Sequence, residues 1–145
     1  MYEHDSNIVD QERFKQARAE LGDSFVRILS YYREDGAKVI DEIERAARAR
    51  NATSLVRPAH TLKGDSLMVG AEALGLVAEE IEKAARLSVE HHDFPDHMLP
   101  KVRGLRDLFA RTIAFFEQEM AERAPVVPMV APRRPGGFGR KVVAR

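Results

Sequence analysis

The sequence predicts an all-α protein: an antiparallel, up-down four-helix bundle with a short extra helix at its N-terminal end. Three observations carry this. No proline occurs before Pro58. Apolar residues recur at the three-and-four spacing of a helix face through most of the chain. No stretch alternates apolar and polar residues as a half-buried strand would.

The first helix is expected from about Val9 to Leu21, with Asp10 as N-cap and Phe14, Ala17 and Leu21 on one stripe. Gly22 breaks it, and Asp23 or Ser24 can cap the next. That second helix runs to about Arg50, its stripe being Phe25, Ile28, Leu29, Tyr32, Val39, Ile40, Ile43 and Ala47. Of the tyrosine pair, one ring should pack inward and the other stay at the surface. Gly36 lies mid-helix, where glycine costs up to about 1 kcal/mol relative to alanine. Asn51-Ala52-Thr53 makes a tight turn with Thr53 as cap, and the third helix ends near Gly70. The fourth spans about Ala71 to Val89, with Leu74, Val77, Ile81 and Ala85 inward. The loop HHDFPDH follows. A last helix from about Pro95 to Arg123 buries Val102, Leu105, Phe109, Ile113, Phe116 and Met120.

Domain limits follow from composition: a flexible end over residues 1–8, the bundle over 9–123, and a flexible tail over 124–145. That tail, APVVPMVAPRRPGGFGRKVVAR, holds four of the seven prolines and five basic residues with no acid, a composition that cannot build a packed core.

Charge and composition exclude several functions. With 23 basic and 23 acidic residues the net charge is zero, so nothing global steers the chain to nucleic acid or an anionic membrane. Absence of cysteine removes disulfides, thiolate catalysis and Cys-ligated zinc. No signal peptide or apolar run of about 18 residues is present, so a cytoplasmic protein is expected. His91, His92 and His97 share a loop without ordered carboxylate partners and read as solvated, not as a metal site. Glu79, Glu80 and Glu82 read as the wet face of an amphipathic helix. No cofactor and no nucleotide-binding signature is expected.

Residues 59–70, AHTLKGDSLMVG, carry the chemistry. On a wheel of about 100° per residue, Leu55, Ala59, Leu62, Ser66 and Val69 form the core-facing stripe. Val56, His60, Lys63, Gly64 and Leu67 share the outer face. An exposed imidazole, with an unperturbed pKa of about 6.5, is a competent nucleophile at neutral pH. Lys63, one turn on, can offer its ammonium to an anionic group on that ring. Gly64 removes the side chain beside the histidine, so a partner surface can approach closely. Val56, Leu67 and Met68 supply an apolar rim for docking. Together these describe a histidine that accepts a phosphoryl group, and the donor must be another protein because no nucleotide site is present.

AHTLKG followed by VGAEAL resembles the histidine-containing phosphotransfer (HPt) domain of multistep phosphorelays, over roughly Val9 to Ala121. His60, Lys63 and Gly64 fit the family's His-x-x-Lys-Gly position for position. The resemblance implies that His60 is phosphorylated by the phospho-aspartate of a receiver domain and passes the group to another receiver. It implies response-regulator receivers and a hybrid histidine kinase as partners, with Mg²⁺ held by the receiver. It also implies a polar group on the next helix that bonds the other ring nitrogen. Glu82 falls there, and it fits an imidazole-orienting role and a solvated surface charge equally well; Arg86, one turn later, extends the docking rim. Asp65 departs from the small residue common after Lys-Gly, but lies about 140° from His60 on the wheel. Pro58 should kink the helix just before the histidine.

Two other readings compete. A helical interaction module could bind a receiver or kinase without being phosphorylated, although such a module has no need of the His-Lys-Gly trio. A fragment of a chemotaxis-type kinase is disfavoured by the initial methionine and the missing ATP-binding domain. The chain is expected to be a phosphocarrier without turnover of its own, and a monomer.

Overall fold

In the computed structural model, residues 8–122 are described and the secondary structure among them is helical. The helices are α1 (Gln11–Leu21), α2 (Ser24–Arg48), α3 (Ala52–Met68), α4 (Glu72–His91) and α5 (Leu99–Glu122), with a 3₁₀ turn at Asp96–Met98 before α5. α3 packs chiefly against α4 and next against α2, while α5 closes the ring against α2 and α4. The all-helical bundle read from periodicity is therefore the fold, and short connections set successive helices antiparallel. The expected tail 124–145 and residues 1–7 lie outside the described residues. Ile8, placed by sequence in the N-terminal end, is fully buried, and its carbonyl accepts a bond from the Ala73 N–H.

The boundaries follow local chemistry. Asp10 caps α1 by accepting from the Arg13 N–H at 3.1 Å. Asn51, not Thr53, caps α3: its side chain accepts from the Ser54 N–H at 3.0 Å, whereas Thr53 is already inside the helix. Asp23 stands at the α2 N-cap without a side-chain cap bond, and α2 ends at Arg48 rather than Arg50. Arg50 itself has φ 51° and pairs with Asp96, its guanidinium 5.1 Å above the Phe94 ring. α4 closes with His92 in the left-handed region and the Asp93 N–H bonded to Ser88 O at 3.0 Å. α5 begins at Leu99, later than expected, and Pro100 occupies its first turn, where a missing N–H costs nothing. Pro58 sits buried inside α3, which runs unbroken through it.

Two glycines are explained by packing. At Gly36 an added Cβ would meet the Phe109 ring at 2.6 Å, so the cost to helix propensity permits α5 to close on α2. At Gly70, φ is +89° and a Cβ would lie 2.9 Å from the Asp10 carbonyl and the Phe14 N–H nitrogen; the Asp10 N–H also donates to Gly70 O at 2.8 Å. The helix stop doubles as the seat of α1.

The core is continuous. Phe14 stacks on Phe116 at 5.1 Å and meets Phe25 edge-on at 5.3 Å, and Tyr32 meets Phe109 at 5.7 Å. Tyr32 is buried and Tyr31 exposed, as the paired tyrosines suggested. The Tyr32 hydroxyl and Ser66 Oγ are 2.7 Å apart, which satisfies both polar groups across α2 and α3.

Candidate phosphotransfer site

The core stripe of α3 is buried: Leu55, Ala59, Leu62, Ser66 and Val69 are all at or near zero exposure. Anchoring that face turns His60 outward, and its side chain is 59% exposed. Gly64 is exposed, and a Cβ there would meet nothing within 4 Å, so the fold itself does not require glycine. Leu67 and Met68 are exposed as expected. Val56 is not a free rim residue, since it is half-buried and packed against the core. Leu76 and Leu87 on α4 are exposed too; about three turns apart on one stripe of that helix, they were not singled out in the sequence.

Glu82 decides between its two readings. It is 5% exposed, so it is no solvated charge. Its Oε2 lies 2.9 Å from His60 Nδ1, and Arg86 donates to that oxygen from Nε at 2.9 Å and Nη2 at 2.8 Å. Lys63 Nζ stands 3.1 Å from Oε1, but off the line of a good hydrogen bond, so that oxygen has an ion pair and no well-directed donor. Burial pushes the carboxyl up; the hydrogen bonds from Arg86 and His60 and the nearby charge of Lys63 outweigh it and hold the pKa at about 2. Glu82 is thus a carboxylate at neutral pH and can only accept, so Nδ1 of the neutral ring carries the proton. The lone pair is then on Nε2, which has no hydrogen-bond partner among the described residues.

Lys63 and Arg86 also sit differently from expectation. Lys63, 25% exposed, is drawn down onto Glu82 rather than projecting freely. Arg86 folds back on Glu82 and is not simply a rim residue. Asp65 lies off the site: partial burial and Asp35 of α2 raise its carboxyl pKa, which places it on the α2 side. His91, His92 and His97 are exposed. Among the described residues no three metal-ligating side chains converge.

A groove of about 760 Å³ lies elsewhere, between α1, α2 and α5 around Val26, Leu29, Ile113 and Met120. None of its lining residues comes from α3 or α4, so His60 stands apart from it on an outer face.

Comparison with known proteins places the fold and the family. The family model of the Hpt domain matches residues 27–123. The chain belongs to the Hpt domain family. The crystal structure of histidine-containing phosphotransfer protein B (HptB) from Pseudomonas aeruginosa PAO1 is similar in fold, with a TM-score of 0.71 and 22% identity. That alignment covers 79% of this chain and 96% of HptB. No curated protein matches the sequence significantly. As an Hpt domain protein, the chain has a histidine phosphotransfer role in phosphorelay signalling. No helix among the described residues is long and apolar enough to cross a membrane.

Proposed function

We propose that His60 accepts a phosphoryl group from the phospho-aspartate of a receiver domain and passes it to another receiver. The observation that carries this is a ring exposed at Nε2 whose other nitrogen is held by a buried carboxylate. The Nε2 lone pair attacks phosphorus as the P–O bond to the aspartate breaks, and the aspartate leaves as a carboxylate. The ring becomes a phosphoimidazolium, and Glu82, facing Nδ1–H, stabilises the positive charge that forms there. Positioning and charge stabilisation suffice for such a transfer.

Gly64, one turn from His60 and open to solvent, leaves room for the receiver's active-site loops to reach the ring. Leu67 and Met68 on α3 give the apolar contact area beside it. The receiver supplies Mg²⁺, and this chain needs no cofactor of its own. A hybrid histidine kinase is the upstream source, and the monomeric protein acts in the cytoplasm.

The test is transfer from a panel of radiolabelled phospho-receivers to wild type and to His60→Gln. An acid-labile, alkali-stable label on wild type alone is expected. Tight receiver binding without label would make the same surface a docking face of an unphosphorylated module.

A further inference from the structure

We propose that Arg86 is a positioning residue for phosphoryl transfer: it holds Glu82 against His60 and supplies the standing countercharge that frees Lys63 to move onto the phosphoryl group. This rests on His60 being the acceptor.

The two oxygens of Glu82 are held unequally. Oε2 takes both Arg86 donors, at 2.9 and 2.8 Å, together with His60 Nδ1 at 2.9 Å. Oε1 has only Lys63 Nζ at 3.1 Å, in poor hydrogen-bond geometry. Arg86 lies one turn beyond Glu82 on α4, so helix and guanidinium together fix the carboxylate rotamer. Lys63 is one turn beyond His60 on α3, and its flexible stem can carry the ammonium between Glu82 and a group on the ring.

Charge decides which cation moves. Glu82 is buried, and a buried carboxylate stripped of its partners is strongly disfavoured. Before transfer two cations face that one carboxylate. The incoming phosphoryl group brings roughly two negative charges to the neighbouring ring nitrogen. Lys63 can follow that charge because Arg86 stays on Glu82. Without Arg86, the departure of Lys63 would leave the buried carboxylate only the ring's Nδ1–H at 2.9 Å as a partner, so Lys63 would stay nearer Glu82 and the phosphoryl group would lose part of its countercharge. The carboxylate would also be free to rotate from Nδ1, and part of the neutral ring would carry its proton on Nε2, where it cannot attack.

Phosphoramidate, used on the chain alone, separates this role from receiver docking. In that reaction Nε2–P forms as the P–N bond to ammonia breaks, and ammonia leaves with the electron pair and picks up a proton from water. We expect Arg86→Gln to be labelled by phosphoramidate about tenfold more slowly than wild type, with ¹⁵N NMR showing a rise in the Nε2-protonated tautomer of His60. Arg86→Lys should recover part of the rate. Adding Lys63→Gln should cost much less in the Arg86→Gln background than in wild type. Arg86 is largely exposed, so unchanged helicity is expected in each variant. If Arg86→Gln slows transfer from a phospho-receiver but leaves the phosphoramidate rate and the tautomer at wild-type values, Arg86 is a docking residue and the proposal is wrong. Failure of the acceptor reading would look different: wild type itself would take no label at His60, and both readings would fall together.

Discussion

At the scale of single residues, His60 and Gly64 are separable in their effects. Because His60 is exposed and its helix is anchored by the opposite stripe, His60→Gln should remove the phosphoryl label and leave helicity, read by circular dichroism, unchanged. Gly64 makes no close contact, so Gly64→Ala should stabilise the fold by about 0.5–1 kcal/mol in urea unfolding. Gly64→Gln, by contrast, should block transfer from a phospho-receiver. Wild-type transfer by that variant would show that the glycine serves no approaching partner.

At the scale of the helices, the same residue type does opposite work at different places. Gly104 in α5 has open space where its Cβ would go, whereas Gly36 has the Phe109 ring at 2.6 Å. Gly104→Ala should therefore stabilise by about 0.5–1 kcal/mol. Gly36→Ala should destabilise by about 1–3 kcal/mol, because overpacking α2 against α5 exceeds the gain in helix propensity. Equilibrium denaturation of both variants checks the pair; equal shifts of the same sign would mean that Phe109 moves aside freely. The sequence reading saw only the propensity cost at Gly36, since nothing local announces which ring of a distant helix will lie over it.

For the whole molecule, Glu82 couples stability to pH. Its folded pKa, about 2, lies below the ordinary 4.5. A depressed carboxyl contributes stability that is fully present above about pH 4.5 and is lost as pH falls towards 2. Wild type should accordingly exceed Glu82→Gln in stability by a constant margin at neutral pH, and the margin should shrink steadily below about pH 4.5. A margin independent of pH down to 2.5 would mean that Glu82 is not ionised in this network. The interhelical ion pairs, Arg33 with Glu117 and Arg106 with Asp41 and Glu44, are half-exposed and should add little, as surface pairs do.

The helices, the outward face of α3 and the His60–Lys63–Gly64 trio were legible in the sequence because they depend on local periodicity, which a linear pattern records directly. Boundaries shifted by a few residues where competing polar groups decided the cap, as Asn51 did over Thr53. Three things were decided only when the helices came together: the burial of Glu82, the return of Lys63 and Arg86 onto it, and the half-burial of Val56. Each depends on how α3 lies against α4, and the same Glu-x-x-x-Arg spacing would read as an ordinary wet helix face if that neighbour were absent. A sequence can place a carboxylate one helix away from a histidine, but its burial, and hence its charge state and the tautomer it imposes, comes from the packing that removes water from it.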